Sequence, residues 1–241
     1  MILLSIDFET TGVDKVKDRV IEFGAVLYST SQHKCLDNQG SLVKADVPIS
    51  AEITGITGIT QKAVDKFGYD ADSSLNVVID LMNAADYIIG YNVRRFDKPV
   101  LENWAKRAGV ELPNKLWIDL FADLPWTVTR GKLSHVAADH GILNLFPHSA
   151  LADCQTVLAI LGKYSPELIL ERAKSPEVVL RSHQERNNND IVKQAPWKFR
   201  WNPPRSIWWK PVKAADVDEV VAKAPFRISI EKELTPEELD N

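Results

Sequence analysis

An apolar run near the start of the chain ends in two acidic residues, and this arrangement limits the folds open to the sequence. Residues 2–6 (Ile-Leu-Leu-Ser-Ile) predict a buried strand, and Asp7 and Glu9 follow directly. Residues two apart on a strand point to the same face, so the two carboxylates should lie side by side. Carboxylates that close repel each other, and one would stay neutral unless a cation binds between them. Their oxygen atoms favour Mg²⁺ or Mn²⁺, although two solvated acids at a strand end are the alternative.

Two further segments each carry an acidic residue beside a predicted helix. Asp97 ends the segment Gly-Tyr-Asn-Val-Arg-Arg-Phe-Asp (90–97), where taken alone it is typical of a helix cap. Asp153 lies on a predicted amphipathic helix, five residues after His148. Five helical steps would place the two side chains about 140° apart. They converge only if His148 lies in the loop before the helix, which Pro147 favours; a surface His beside a lone helical Asp is the alternative.

Together the three segments resemble the motifs of the DEDD family of 3′→5′ exonucleases, in the subgroup whose fifth site residue is His. That family includes the epsilon proofreading subunit of bacterial DNA polymerase III, exonuclease X, oligoribonuclease and the TREX repair exonucleases. The first motif (residues 7–12) and the third (residues 148–153) are intact, whereas Tyr91 in the second (residues 91–97) stands where the family usually has His. Residues 55–60 (Gly-Ile-Thr-Gly-Ile-Thr) resemble the segment that lines the groove for the terminal nucleotide. The resemblance covers the chain up to about residue 165 and favours a phage or bacterial protein.

The resemblance implies a role for each candidate site residue. Two Mg²⁺ or Mn²⁺ ions would be held by four carboxylates, with a histidine as the general base: Asp7, Glu9, Asp97, Asp153 and His148. The substrate would contact Thr10, Thr11, Gly12, Ile59 and Asn92. Ordinary turn hydrogen bonds are an equal alternative for Thr10 and Thr11, and Phe8 is expected in the core. The product would be a nucleoside 5′-monophosphate.

The periodicity of apolar residues predicts an α/β fold. A meander of three strands (residues 2–6, 19–28 and 35–44, with Gly24 as a possible bulge) precedes short strands at 87–91 and 117–120. Helical spacing separates and follows those short strands, at residues 73–85, 98–108, 133–140 and 149–162, and Pro166 begins another helix. A meander followed by alternating strands and helices predicts a mixed sheet flanked by helices. The family resemblance makes this a ribonuclease-H-like five-stranded sheet.

Charge and composition divide the chain into three predicted parts: an exonuclease domain (1–174), a small basic, Trp-rich α+β module (175–230) and an acidic tail (231–241). The net charge is −5 over residues 1–180, +5 over residues 181–227 and −4 over the rest. Four tryptophans fall within thirteen residues of the module: Trp197, Trp201, Trp208 and Trp209. Aromatic and basic residues in alternation suit nucleic-acid binding. An equal alternative is that the tryptophans form the core of a domain too small to be stable without them.

These patterns favour a cytoplasmic enzyme that removes nucleotides from 3′ ends. The two cysteines predict no disulfide framework, and no apolar run approaches the length of a membrane span. Single-stranded DNA is the expected substrate, and a polymerase or another replication or repair protein is a possible partner. Two alternatives stay open: an oligoribonuclease-like RNA exonuclease, and a non-catalytic nucleic-acid-binding subunit.

Overall fold

The computed structural model describes residues 1–184 and 190–231, and these residues form nine strands and ten helices with one further 3₁₀ turn (Ala214–Asp216). The strands are β1 (Ile2–Thr10), β2 (Val20–Ser29), β3 (Lys34–Leu42), β4 (Tyr87–Gly90), β5 (Leu116–Asp119), β6 (Glu177–Ser182), β7 (Arg200–Asn202), β8 (Ile207–Lys213) and β9 (Ile228–Glu231). The helices are α1 (Ala51–Thr57), α2 (Gln61–Phe67), α3 (Ala71–Ala84), α4 (Asp97–Ala108), α5 (Leu120–Asp123), α6 (Leu133–Asp139), α7 (Ala150–Leu161), α8 (Pro166–Lys174), α9 (Asp190–Lys193) and α10 (Val217–Lys223). The predicted acidic tail lies outside the described residues except for Glu231.

The chain divides into two compact units whose boundaries differ from the predicted ones. The first unit comprises Met1–Ala122 and Gly131–Pro166, and the second comprises Asp123–Arg130 and the chain from Glu167 onward. A single boundary near residue 174 was predicted from polar composition, and residues 185–189 of that polar stretch lie outside the described residues. Composition near residue 174 gives no sign that residues 123–130 join the second unit, because that depends on packing with residues far along the chain.

The first unit is built on a five-stranded sheet in the order β3-β2-β1-β4-β5. β1, β2 and β3 form an antiparallel meander, while β4 and β5 run parallel to β1. The predicted mixed five-stranded sheet flanked by helices is therefore confirmed. Every predicted strand and helix of this unit is present, with ends that differ by a few residues. The helices α1, α2 and α5 were not predicted, because such short segments show little helical periodicity. The equally short α6 was predicted because Gly141 follows its end.

β1 separates the two sides of the first unit. Leu4, Ile6 and Phe8 are buried in one core with α3 and α4, where Phe8 meets the edge of the Trp104 ring at a centroid distance of 6.0 Å. The alternate residues face α7, and the Ser5 hydroxyl donates a hydrogen bond to a carbonyl of that helix (3.1 Å). Because side chains alternate along a strand, Asp7 and Glu9 also lie on the α7 side.

Gly24 in β2 permits the close approach of α7. It pairs directly with Asp7 of β1, and the irregularities in the strand register lie elsewhere, so the prediction of a bulge at Gly24 is wrong. A Cβ atom at this position would lie 2.3 Å from the carbonyl carbon of Ala150. The first turn of α7 thus lies against the strand backbone at the point where Asp7 pairs.

The second unit has its own antiparallel sheet, in the order β7-β8-β6-β9. Its aromatic core contains Trp126, Trp197, Phe199, Trp208 and Phe226. Two ion pairs are also buried here: Arg172 with Asp216, and Lys213 with Asp123 (2.9 Å). Three of the four clustered tryptophans (Trp197, Trp208 and Trp209) are at least nine-tenths buried, which supports the core role for them over base stacking. Within the two described stretches, no helix has the length and apolar character needed to cross a membrane.

We expect Gly24→Ala to destabilise the protein by about 1–3 kcal/mol, because the new methyl group overlaps the α7 backbone, which cannot rotate away as a side chain can. Gly55 offers a matched control, since a Cβ atom added at its position in α1 would have no other atom within 4 Å. Gly55→Ala should be neutral or stabilising by up to about 1 kcal/mol, because alanine favours helix. Urea denaturation of both variants measures the difference. Equal midpoints for the two variants would contradict the close approach of α7.

Candidate active site

Four carboxylates reach one place from three parts of the first unit. Asp7 and Glu9 lie on β1, Asp97 is the first residue of α4, and Asp153 lies in the first turn of α7. Ligand atoms of Glu9, His148 and Asp153 all lie within 4.8 Å of one another. The predicted catalytic residues are therefore brought together by the fold.

Burial and mutual repulsion dominate the electrostatics of this cluster. Burial raises the pKa of Asp7 well above its ordinary value, and the charges of Asp97, Asp153 and Glu9 raise it further. Burial raises the pKa of Glu9 to about 8, with a further contribution from Asp153. The pKa of Asp97 is also raised to about 8, again mainly by burial. Without a cation the cluster therefore holds protons at neutral pH.

Asp97 is fixed by β1 and does not act as an ordinary helix cap. The residue at the capping position of α4 is Phe96, which makes no side-chain cap. The Asp97 carboxylate is 3% exposed and accepts a hydrogen bond from the backbone N–H of Phe8 (3.0 Å). This contact ties the start of α4 to the strand residue between Asp7 and Glu9.

The loop before α7 wraps around the carboxylate of Asp153. His148 lies in this loop, as its spacing from Asp153 required, with a left-handed backbone (φ 64°). Its backbone N–H donates to Asp153 Oδ2 (3.2 Å), and the side-chain amide of Asn144 donates to Asp153 Oδ1 (2.5 Å). The imidazole is exposed at the rim of the cluster. Both contacts partly offset the effect of burial, which raises the pKa of Asp153.

Glu22 is a residue of this region that the sequence motifs do not identify. It lies opposite Glu9 in the β1–β2 ladder, and its carboxylate accepts a hydrogen bond from the Ala150 N–H at the start of α7 (3.1 Å). Glu22 therefore positions the helix that carries Asp153, and its negative charge raises the pKa of Glu9. The available signal was an acidic residue inside the apolar run of β2.

Asp119 at the end of β5 was also missed, and it organises the second motif. Its carboxylate accepts hydrogen bonds from the backbone N–H groups of Asn92 (2.8 Å), Arg94 (3.2 Å) and Phe121 (3.0 Å). These contacts hold Asn92 in a left-handed conformation (φ 58°). The predicted substrate residue Asn92 thus lies in a turn with a defined shape.

The other predicted substrate residues serve the turn after β1 or the core. The Thr10 hydroxyl donates to the carbonyl of Gly12, and the Thr11 hydroxyl donates to Asp18 (2.8 Å), so the turn role is the one observed for both. Ile59 is buried in a small cluster with Ile21 and Val64. Contact of Thr10, Thr11, Gly12, Ile59 and Asn92 with a substrate stays a prediction.

A cavity of about 480 Å³ opens beside His148 and Asp153. Its volume lies in the range of small-molecule sites. Its lining also includes two aromatic and two basic residues: Tyr91, Phe121, Arg95 and Lys132.

The donor set fits divalent cations with oxygen ligands. Four carboxylates converge, and burial, the largest cause, raises the pKa values of Asp7, Glu9 and Asp97, while repulsion within the cluster adds to the shifts of Asp7 and Glu9. A divalent cation offsets both effects, and carboxylate oxygens are the ligands that Mg²⁺ and Mn²⁺ prefer.

Comparison with known proteins identifies relatives of the first unit. A family model described as an exonuclease matches residues 4–161. The PolC-type DNA polymerase III of Caldanaerobacter subterraneus subsp. tengcongensis is 28% identical over 166 residues, which are 67% of this chain and 11% of the polymerase. The chain thus spans about a tenth of the length of this curated relative.

Solved structures of exonuclease I share the fold. The enzyme from Methylocaldum szegediense superposes with a TM-score of 0.62 at 19% identity, covering 76% of this chain and 48% of that one. The zinc-bound complex of E. coli exonuclease I with single-stranded DNA gives a TM-score of 0.61 at 20% identity, covering 75% and 48%. The likeness confirms the ribonuclease-H-like fold.

The exonuclease model covers more than half of the chain, and its matched range contains all three predicted motifs and each of the four converging carboxylates. This protein therefore belongs to the exonuclease family, and its assignment to the DEDD 3′→5′ exonucleases from sequence motifs is confirmed.

Proposed function

We propose that this protein hydrolyses nucleotides from the 3′ ends of single-stranded DNA and releases nucleoside 5′-monophosphates. The observation that carries the proposal is the convergence of Asp7, Glu9, Asp97 and Asp153 beside the exposed imidazole of His148. A binding protein would gain nothing from confining four repelling carboxylates. Membership of the exonuclease family supports a hydrolytic role.

The four carboxylates would hold two Mg²⁺ or Mn²⁺ ions, which stabilise charge on the attacking and leaving oxygens of a phosphodiester when bound. Asp97 and Asp153 are fixed by backbone hydrogen bonds, so the negative charges stay in place without reorganisation. His148 is exposed beside Glu9 and Asp153, where its imidazole would take the proton of an attacking water.

The proposed substrate and partner draw on the relatives. One structural neighbour is a complex of exonuclease I with single-stranded DNA, which supports DNA as the substrate here. The curated relative is a DNA polymerase III, which supports a polymerase or another replication or repair protein as partner. Parallel assays on DNA and RNA oligonucleotides distinguish activity on DNA from activity on RNA.

The proposal is tested with 5′-labelled DNA and RNA oligonucleotides of the same sequence. In Mg²⁺ or Mn²⁺ we expect a ladder that shortens from the 3′ end of DNA, and EDTA should abolish it. Asp153→Asn should abolish cleavage, because it removes a charged ligand but keeps its volume. His148→Ala should lower kcat by about 10²–10⁴-fold, the usual loss for a general base.

Asp80→Asn is the matched control for that experiment, because Asp80 is exposed on α3 outside the carboxylate cluster. It should cleave at the wild-type rate. Cleavage by Asp153→Asn within tenfold of wild type would refute the site assignment. A ladder on RNA alone would indicate an RNA exonuclease. Binding of DNA without cleavage would favour a non-catalytic subunit.

The raised pKa values predict a pH-dependent effect of metal on stability. Glu9 and Asp97 have pKa values of about 8 in the folded protein, against about 4 when unfolded. The folded state therefore binds more protons between these values, so in EDTA the free energy of unfolding falls as pH rises from about 4 to about 8. Mg²⁺ should restore more stability at pH 8 than at pH 5, because at pH 5 it competes with bound protons.

Thermal unfolding at pH 5, 6.5 and 8, with EDTA or Mg²⁺, measures this effect without any substrate. The difference in Tm between the two conditions cancels the titration of groups remote from the site. Asp153→Asn should reduce the difference at pH 8. A difference in Tm that is absent, or equal at all three pH values, would contradict cation binding by these carboxylates.

We also propose that residues 181–227 of the basic, Trp-rich module (175–230) contribute to binding the DNA backbone through their charge. Lys198 and Arg205 are exposed, and the net charge of this segment is +5. Because three of the four clustered tryptophans are buried, contact between basic side chains and phosphates is a simpler mechanism than base stacking. Truncation after Lys174 is a poor test, because it would remove Asp216 from Arg172 and Trp197 from Trp126.

Charge reversal in Lys198→Glu/Arg205→Glu tests the module without cutting it. Each lost phosphate contact to a single strand should flatten the slope of log K against log salt by about 0.7. Binding of a fluorescent oligonucleotide in Ca²⁺, at several salt concentrations, measures the slope. The control Lys34→Glu/Lys163→Glu makes the same change in charge on exposed residues of the first unit. Equal slopes for both double variants would indicate that the module does not contact DNA.

A further inference from the structure

The cavity beside His148 and Asp153 is lined by groups of two kinds. His148 and Asp153 belong to the cluster that could hold a cation. The basic residues Arg95 and Lys132 line the same cavity, together with Tyr91 and Phe121. A ligand that fills this space must therefore extend from the cation site toward two positive charges.

Arg95 and Lys132 have no anionic partner in the part of the chain that the structure describes. Both residues are exposed, and neither side chain forms an ion pair or hydrogen bond with residues 1–184 or 190–231. This contrasts with Arg19, which pairs with Asp46 (2.6 Å), and with Arg172, which is paired and buried. Two unpaired cations that line one cavity suit an anionic group of a ligand.

The chemistry of a 3′ end identifies which anion this is. The scissile phosphate must lie on the carboxylate cluster, where cations would bind. The terminal nucleotide ends in a 3′ hydroxyl and so contributes no further phosphate. The nearest additional anion in the substrate is the next phosphate toward the 5′ end, which belongs to the penultimate nucleotide.

We propose that this cavity is a subsite for the penultimate nucleotide, in which Lys132 and Arg95 bind the phosphate on its 5′ side. The inference rests on the proposed exonuclease function and adds residues that the catalytic set does not contain. A volume of about 480 Å³ accommodates a nucleotide unit. The subsite contacts the backbone, so it favours strands with a phosphate on the 5′ side of the penultimate nucleotide, without regard to base sequence.

Tyr91 positions the segment that carries Lys132. Its hydroxyl donates a hydrogen bond to the carbonyl of Gly131 (2.6 Å), the residue directly before Lys132. Its ring packs against the edge of Phe121 with 5.6 Å between centroids. The turn that carries Arg95 is closed by the hydrogen bond from its N–H to the Asn92 carbonyl (3.1 Å). The tyrosine at the position where the family usually has histidine thus acquires a positioning role.

The experiment removes the proposed interaction from each side in turn. An eight-nucleotide DNA strand is made with an ordinary scissile phosphodiester, and the next linkage toward the 5′ end is either a phosphodiester or a neutral methylphosphonate. The value of kcat/KM for release of the first nucleotide in Mg²⁺ is measured for wild type and Lys132→Ala. The four rates form a double-mutant cycle, which isolates the coupling between Lys132 and that one linkage.

In wild type the neutral linkage should lower kcat/KM by about tenfold, as expected for loss of a hydrogen bond to a charged group. In Lys132→Ala the same replacement should cost about threefold, because only Arg95 still contacts the phosphate, and in Lys132→Ala/Arg95→Ala it should cost less than about twofold. Arg95→Ala should behave in the same way to a smaller extent. The control Lys163→Ala, on an exposed lysine after α7, should keep the full tenfold penalty.

Equal penalties in wild type and Lys132→Ala would overturn the subsite while leaving the exonuclease function intact. The absence of a penalty in wild type would overturn it as well. If the wild-type protein releases no nucleotide even from the strand with ordinary linkages, the proposed function fails and the subsite fails with it. Failure of the subsite and failure of the exonuclease activity therefore give different results.

Discussion

The contact between the α7 backbone and β2 at Gly24 determines the geometry of the active site. Asp7 pairs with Gly24, so the absence of a side chain there places the first turn of α7 over the strand that carries Asp7 and Glu9. Asp153 enters the cluster only because of this approach. The same turn is fixed by Glu22, two residues before Gly24 in β2, which accepts a hydrogen bond from the Ala150 N–H. Packing therefore holds the carboxylates together against the cost of burying their charges and against their mutual repulsion, both of which raise the pKa values of Asp7 and Glu9.

Much of the first unit could be predicted from sequence because its signals are local. Alternation and helical spacing identify the five strands and the longer helices, and the motifs place Asp7, Glu9, Asp97, His148 and Asp153 at element ends. The residues that were missed act through distant partners. Glu22 binds a backbone N–H 128 residues away, and Asp119 organises a turn 27 residues before it. The spacing of apolar residues along one sequence gives no information about such contacts between distant residues.

The second unit shows a different limit of prediction. The boundary predicted near residue 174 falls inside this unit, between α8 and β6. Polar and charged residues suggested a boundary, yet Arg172 and Lys213 are buried because each has an acidic partner in the same unit. Trp126 belongs to this core although it precedes the module by some fifty residues. Composition alone does not show which unit a segment joins.

The two hydrogen bonds that Asp153 accepts from its own loop have a thermodynamic consequence. Asn144 and the His148 backbone donate hydrogen bonds to the two carboxylate oxygens of Asp153, which a cation would also bind. The order of residues 144–148 and the occupancy of the cation site are therefore coupled. Linkage requires reciprocity: by whatever factor cation binding changes the population of this loop conformation, the conformation changes cation affinity by the same factor. The loop also carries His148, so under the proposed function the placement of the imidazole would depend on metal concentration. The proposed general base and the proposed cation site would then form one cooperative unit, whose response to metal need not follow a simple one-site saturation curve.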